Sequence, residues 1–259
     1  MAPWWGDRGG EWPPSRVPRP ATEAESYDLL CHGKILSCDL IPWGSNYTFL
    51  VALSHTDKPE GLAVYKPKRG EAPLWDFPDG TLYRRERAAY VAAKALGWDF
   101  IPLTVIRDGP HGVGSMQAFV DTDGPPHRPT LTDAHRPELA RVALFDLIAN
   151  NADRKAGHCL VGADGRIWGI DHGLTFHTDP KLRTILWEFY QAEISPDLLT
   201  DLRTLLNNAA RRAALSNQLE ELLTRAEVRS FFHRAERVVE ADGRYPSLEF
   251  YRRRSWPFF

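Results

Sequence analysis

The spacing of hydrophobic and polar positions changes its period about halfway along the chain. Short β-rich runs come first: Gly33 to Leu40 and Tyr47 to Leu53 flank the turn-like segment Ile41-Pro42-Trp43-Gly44-Ser45-Asn46, a pattern that predicts a hairpin. Leu62 to Tyr65 follows a polar turn at Ser54 to Gly61 and runs into Lys66. Pro67 and the Gly/Pro-rich stretch to Gly80 then end this third strand. Leu82 to Leu96 places Leu82, Ala89, Ala92, Ala93 and Leu96 on one helical face and meets Gly97, a stop signal. Two further strands are predicted at Leu103 to Ile106 and Ser115 to Val120, around the turn Arg107 to Gly112. From Pro137 the helical period takes over. Pro137 to Ala149 opens on a proline suited to a first helical turn and carries a broad apolar stripe. A short hairpin, Cys159 to Val161 with Ile167 to Ile170, interrupts it. Helical patterns follow at Lys181 to Ala192, Pro196 to Leu206, Leu215 to Thr224 and Glu227 to Val239. The predicted class is α+β, with a small β-rich part before a larger helical one and no internal repeat.

Composition narrows this picture without changing it. With 259 residues and 43% hydrophobic content the chain can bury a large core or two modest ones. Residues 1 to 22, rich in proline and glycine around Trp4, Trp5 and Trp12, read as a mobile leader; 23 to 122 form the β-rich lobe and 123 to 259 the helical lobe. A net charge of -2 leaves no broad basic surface, so nucleic acid is not an expected partner. No apolar run reaches the roughly 20 residues of a membrane span, and the N-terminus lacks a signal-peptide core. Cys31, Cys38 and Cys159 are odd in number and lack zinc-site spacing, which reads as reduced thiols in a cytoplasm. Tyr251 to Phe259 alternates cations with aromatics. It can pack on the helical lobe or touch an anionic membrane surface, where each arginine contributes about 1 kcal/mol.

Candidate chemistry concentrates in three places. Ala149 to Leu160 lies between a helix and a strand, and loops held by rigid elements are where catalytic groups sit. Asp153 there can orient or deprotonate an attacking hydroxyl, Arg154 can steady the loop or an anion, and His158 can be a second metal ligand. The alternative is a turn held by Asn150, Asn151 and Asp153 bonding to local backbone. At Ile170-Asp171-His172-Gly173 a hard carboxylate ends an apolar strand, a place to hold magnesium against phosphates; the alternative is an ordinary Asp-x-Gly turn. Lys66 at a strand end can reach nucleotide phosphates and Glu86 on the next helix can hold its ammonium, unless Glu86 belongs to a solvated face among Arg84, Arg85 and Arg87. Gly44, Ser45 and Asn46 could present backbone N–H groups to phosphate or simply form a hairpin turn.

The order of these pieces resembles the phosphatidylinositol 3- and 4-kinase-like group, which includes the HipA-type serine/threonine kinases, and especially an actinobacterial branch of it. The resemblance rests on Lys66 after a third strand, Glu86 on the following helix, Asn151-Ala152-Asp153-Arg154 as catalytic loop and Ile170-Asp171-His172-Gly173 as metal turn, and spans about Gly33 to Phe176. It implies a bilobed kinase-like fold that uses ATP with Mg2+ or Mn2+. Lys66 would contact phosphates, Glu86 would position Lys66, Asp153 would be the catalytic base and Asp171 a metal ligand. Met116 to Val120, with Gln117 and Phe119, would lie near the hinge that contacts adenine. The family usually carries asparagine five positions after the catalytic aspartate, where this chain has His158, which implies a weaker second magnesium site. The expected activity is phosphoryl transfer to a hydroxyl of a protein, or else of a lipid or small molecule. The rival readings are a pseudokinase that serves as an interaction module and an enzyme that transfers AMP.

Overall fold

The computed structural model describes residues 20–41, 46–58, 60–122, 131–241 and 243–245. The expected leader up to residue 19, Gly44 and Ser45 of the first hairpin turn, and the cationic, aromatic C-terminal segment lie outside the described residues. The chain forms two compact units, one from residues up to Tyr83 with Pro102–Asp121, the other from Arg84–Ile101 with the residues after Asp121. The architecture is α+β, as expected from the pattern. The helix expected with the β-rich part groups almost entirely with the helical unit.

The first unit opens with a helix that the period did not announce, α1 (Glu23–His32). Thr22 was expected to lie in the leader; instead its hydroxyl accepts from the Glu25 N–H at 3.1 Å while the Glu25 carboxylate accepts from the Thr22 N–H at 3.0 Å. This reciprocal cap starts a helix whose weak amphipathicity gave little signal of its own. Five antiparallel strands follow: β1 (Lys34–Ile41), β2 (Thr48–Ser54), β3 (Gly61–Pro67), β4 (Thr104–Gly109) and β5 (Gly112–Ala118), in the order β1-β2-β3-β5-β4. Register assigns their two faces. Leu50 pairs with Val64, Ala52 with Leu62, Val64 with Gln117 and Lys66 with Ser115, so these side chains share one face. Val51, Leu53, Ala63, Tyr65 and Met116 share the other, fully buried face, against which α1 packs Leu29 and Leu30. The approach is close at Gly61, where an added Cβ would stand 2.6 Å from Leu29 Cδ2. Arg107 secures the helix end by donating to the Leu30 and Gly33 carbonyls at 3.0 and 2.9 Å.

The second unit contains α2 (Leu82–Leu96, from Arg84 on), α3 (Arg136–Ala149), the hairpin β6 (Cys159–Val161) and β7 (Ile167–Gly169), and α4 (Pro196–Asn207), α5 (Ala209–Glu220) and α6 (Arg225–Glu240). Leu139, Val142, Phe145 and Ile148 of α3 and Phe231, Phe232, Ala235 and Val238 of α6 are buried at positions three or four apart, the spacing that brings one stripe of each helix into the core. The helix expected over Lys181 to Ala192 does not form. Only a short 3-10 turn occupies Trp187–Gln191, because residues 183 to 185 run extended and pair with Asn151 and Arg154. The helix expected over Leu215 to Thr224 begins earlier, at Ala209, where Asn208 caps it by accepting from the Arg211 N–H.

Candidate functional site

Helix α3 leads directly into the Asp153 loop. It ends in Asn150, a residue in the left-handed region at φ 55° whose backbone N–H returns to the Asp146 and Leu147 carbonyls. The Asn150 side chain then holds a distant segment, donating to the carbonyls of His177 and Asp179 and accepting from the Lys181 N–H. Next to it Asn151 donates to Asp146 at 2.8 Å and accepts from the Asp153 N–H at 3.0 Å. The Asx turn weighed as the alternative reading is therefore present, and it positions Asp153.

Arg154 is the hub of this loop and, of the two roles the sequence allowed it, its bonds are those of a residue that steadies the loop. Its guanidinium is completely buried and makes two bonds to the Asp146 carboxylate, Nε to Oδ2 at 2.9 Å and Nη2 to Oδ1 at 2.8 Å. The remaining donors reach the carbonyls of His158 and Ile170 at 3.1 and 2.9 Å and His172 Nε2 at 2.7 Å. All five N–H groups of the fork are thereby directed into the protein. Asp146 holds the Arg154 charge more firmly than burial weakens it, so the pKa of this arginine lies above its ordinary value. Arg154 joins two loops that the sequence separates, carrying the Asp153 segment on one side and the Asp171 turn on the other.

That turn follows β7. Asp171 adopts φ 60°, and Glu86 of α2 accepts the neighbouring His172 N–H at 2.9 Å. Together with Asn150 and Phe176, Asp171 completes the set of positive-φ non-glycine residues among those described, all within 27 positions of one another. Such conformations persist only where surrounding bonds over-determine them. Here the surroundings do so: the Phe176 N–H reaches the Ala149 carbonyl at 2.6 Å and the Ala152 N–H reaches Leu174 at 2.9 Å.

The two expected metal ligands converge. His158 Nε2 stands 3.2 Å from Asp171 Oδ2, and His158 Nδ1 lies 3.0 Å from the Asp153 carbonyl oxygen. Burial lowers the His158 pKa against the opposing pull of Asp171, with Arg154 adding to the decrease, so the ring is neutral near pH 7. In the tautomer that donates from Nδ1 to the Asp153 carbonyl, a nitrogen lone pair faces a carboxylate oxygen, an arrangement that suits a cation between them. In the other tautomer Nε2 donates to Asp171. The donor chemistry fits a divalent ion that receives only part of its shell from protein. No cluster of three or more His, Cys, Asp or Glu side chains arranged for a metal occurs among the described residues.

The Asp153 carboxylate accepts from Lys155 Nζ at 2.7 Å and forms a second ion pair with Arg183, which sits on the extended segment where a helix was expected. The sequence offered no local signal for Arg183. Asp146 did carry one: a carboxylate inside the apolar run Leu144-Phe145-Asp146-Leu147-Ile148, eight residues before a loop arginine.

In the first unit, Lys66 and Gln117 share the sheet face that carries Leu50, Ala52 and Leu62, and Phe119, Leu36 and Ile41 pack against that apolar cluster. Gln117 Nε2 donates to Thr104 Oγ1 at 2.8 Å. The Asn46 side chain is engaged within its own unit, accepting from the Ala72 N–H at 2.7 Å. The site residues thus fall into two sets, Lys66, Asn46, Gln117 and Phe119 in one unit and Glu86, Asp153, Arg154, His158 and Asp171 in the other.

The fold places the chain in a kinase-like class. The Golgi casein kinase solved with Mn and ADP bound superposes at a TM-score of 0.59, with 15% identity, over 85% of this chain and 76% of that one. A hydra Fam20 solved with sugar superposes equally well, with 16% identity over 86% and 90% of the two chains. The chain belongs to the family of Mycobacterium tuberculosis protein Rv2133c, to which it is 35% identical over 274 residues, covering 91% of this chain and 96% of that protein. No protein-family model matches the chain. No helix among the described residues is long and apolar enough to cross a membrane.

Proposed function

We propose that the protein is an ATP- and metal-dependent phosphotransferase acting on a hydroxyl, a protein hydroxyl ahead of a lipid or small molecule. One observation carries this reading: Arg154 binds the His158 and Ile170 carbonyls at once, drawing the Asp153 loop and the Asp171 turn to one place with His158 and Asp171 3.2 Å apart. A hairpin and a helix end would not need a fully buried guanidinium to join them unless their polar tips served together.

In this reading Asp153 accepts the proton of the acceptor hydroxyl, whose oxygen attacks the γ-phosphorus as the bond to the β-phosphate oxygen breaks and ADP departs. Lys66 neutralises phosphate charge, and the apolar face around Leu50, Ala52 and Leu62 receives the base, with Gln117 and Phe119 at its margin. Asp171 and His158 would hold the metal, which supplies charge neutralisation on the phosphates when bound; water and phosphate oxygens complete the shell. Arg154 positions both loops from behind, and Glu86 holds the turn by accepting the His172 N–H; a role for Glu86 in positioning Lys66 is part of the same proposal. The kinase-like fold and the Mn and ADP of the Golgi casein kinase support nucleotide and metal use. The membership in the phosphatidylinositol 3- and 4-kinase-like group and a cytoplasmic location are part of the same proposal.

A second reading has a specific observation in its favour. Asp153 is paired with both Lys155 and Arg183, and His158 replaces the usual asparagine, so the fold could bind nucleotide without transferring phosphate. Mass spectrometry of the full chain after incubation with ATP and Mg2+ or Mn2+ separates the readings. The mass of a phosphoryl group supports a kinase and that of AMP an AMP transferase. An unmodified chain that also releases no ADP with casein or a general hydroxyl acceptor supports the pseudokinase.

A further inference from the structure

Within the second unit lies a cavity of about 380 Å³, away from Asp153 and Asp171 in its lining, bounded by α6 and by the segment that follows the Asp171 turn. Arg229, His233 and Arg237 occupy positions i, i+4 and i+8 of α6 and so stack along one face of the helix; Arg234 adds a third guanidinium. Thr178 and Ser230 contribute hydroxyls, and there is no carboxylate among the described residues that line the cavity. Among the described residues Arg229, His233 and Arg237 make no ion pair or side-chain hydrogen bond, although the chain as a whole carries a net charge of -2. Arg229 and Arg237 stand eight positions apart on this face with Arg234 in the same lining, so the cavity gathers three guanidiniums that no carboxylate of its described lining answers.

We propose that this cavity is a binding site for a phosphate monoester. Guanidinium forks match the oxygens of phosphate two at a time, and three of them with an imidazole favour a dianion over a singly charged carboxylate. The volume is at the lower end of ligand sites, which suits a phosphate group with a short carrier. The walls are fixed in advance. Arg234 donates from Nε to the Ile148 carbonyl at 2.8 Å and from Nη1 to the His177 carbonyl at 3.2 Å. Asn150, the residue that starts the Asp153 loop, grips the same segment through the His177 and Asp179 carbonyls at 2.8 and 2.6 Å. The phosphate can come from a ligand or from Thr178 itself, an exposed hydroxyl already in the lining. This inference does not rest on the phosphotransferase reading, because it uses neither nucleotide nor metal.

The test measures binding of inorganic phosphate and of O-phosphothreonine to the full chain by calorimetry, without ATP or divalent ions, and follows the His233 ring resonances to locate the site. Expected are binding that weakens with added salt, a shift of the His233 resonances, and at least a tenfold loss of affinity in Arg229→Ser/Arg237→Ser. That variant should keep the melting midpoint of the wild type, since both side chains are exposed. Arg229→Lys/Arg237→Lys, which keeps the charge without the fork, should recover part of the loss. A chain phosphorylated at Thr178 that no longer takes free phosphate identifies the internal source; a chain unmodified there that takes O-phosphothreonine identifies an outside one, and either supports the site. Absence of binding of both probes to the wild type, unmoved His233 resonances, or affinity within twofold of wild type in the Arg229→Ser/Arg237→Ser variant overturns it.

Discussion

At the scale of single residues, burial and pairing separate groups that act from groups that hold. Arg154 and Asp146 are both fully buried, each satisfied by the other and by neighbouring polar atoms. Removing one partner strands a charge in a low-dielectric interior, which costs on the order of 3–5 kcal/mol. Asp146→Ala should therefore lower stability by that amount in urea unfolding; a loss below about 1 kcal/mol would show that water reaches the pair. Asp153 faces the opposite prediction, because its partners Lys155 and Arg183 are largely exposed and little is lost from the fold without them. Asp153→Asn should keep ATP binding and the fold while transfer falls by about 10²–10⁴, the range of general-base catalysis. Transfer at the wild-type rate would remove Asp153 from that role. In the proposed metal site His158→Asn replaces a borderline imidazole nitrogen by a hard amide oxygen, so the response to Mg2+ relative to Mn2+ should rise. An unchanged preference would place His158 outside the metal shell.

At the scale of elements, helix ends decide much of what the second unit can do. Helix α6 begins with Thr224 and Glu227 in a reciprocal cap, and Glu227 also pairs with Arg85 of α2. Arg85 reaches the Thr175 carbonyl as well, so one ion pair links two helices and the segment after the Asp171 turn. Burial by itself would raise the Glu227 pKa; the Arg85 charge together with the Thr224 bonds outweighs it and holds this carboxyl below its ordinary value. A carboxyl with a depressed folded pKa adds stability above its unfolded value of about 4.3, and that increment disappears as pH falls through the folded value. Glu227→Gln should be less stable at neutral pH, with a flatter decline below about pH 4. A stability curve parallel to wild type down to the acid limb would refute the coupling.

At the scale of the whole molecule, nucleotide binding is a statement about mass action. ATP with a divalent metal at 100 times its dissociation constant should add about 2.7 kcal/mol and raise the melting midpoint by several degrees, and Asp171→Ala should abolish the metal-dependent part. No shift at millimolar ATP with either metal would count against the site. Much of this molecule is legible in its sequence. Leu82 to Leu96 is helical over the span that its alanine-rich face and Gly97 predict, and Cys159 to Val161 is a strand over its predicted span. Pro67 and Gly80 bound the region after β3; Lys66 lies near the end of β3, Asp153 in the loop that follows α3 and Asp171 in the turn that follows β7, as their flanking residues foretold. These features depend on propensity, period and capping, which act over a few residues and so are written locally. Even α1 was available from the Thr22 to Glu25 capping box. The extended run at 183 to 185 was not, because its hydrogen bonds go to residues about thirty positions earlier and override a helical period. Nor was the fate of Arg154, which stands beside an aspartate of interest in sequence yet turns to Asp146, His158, Ile170 and His172 in space. Periodicity indicates which residues turn inward; which buried charge meets which partner is decided only when distant segments close on one another and each polar group must find its bond away from water.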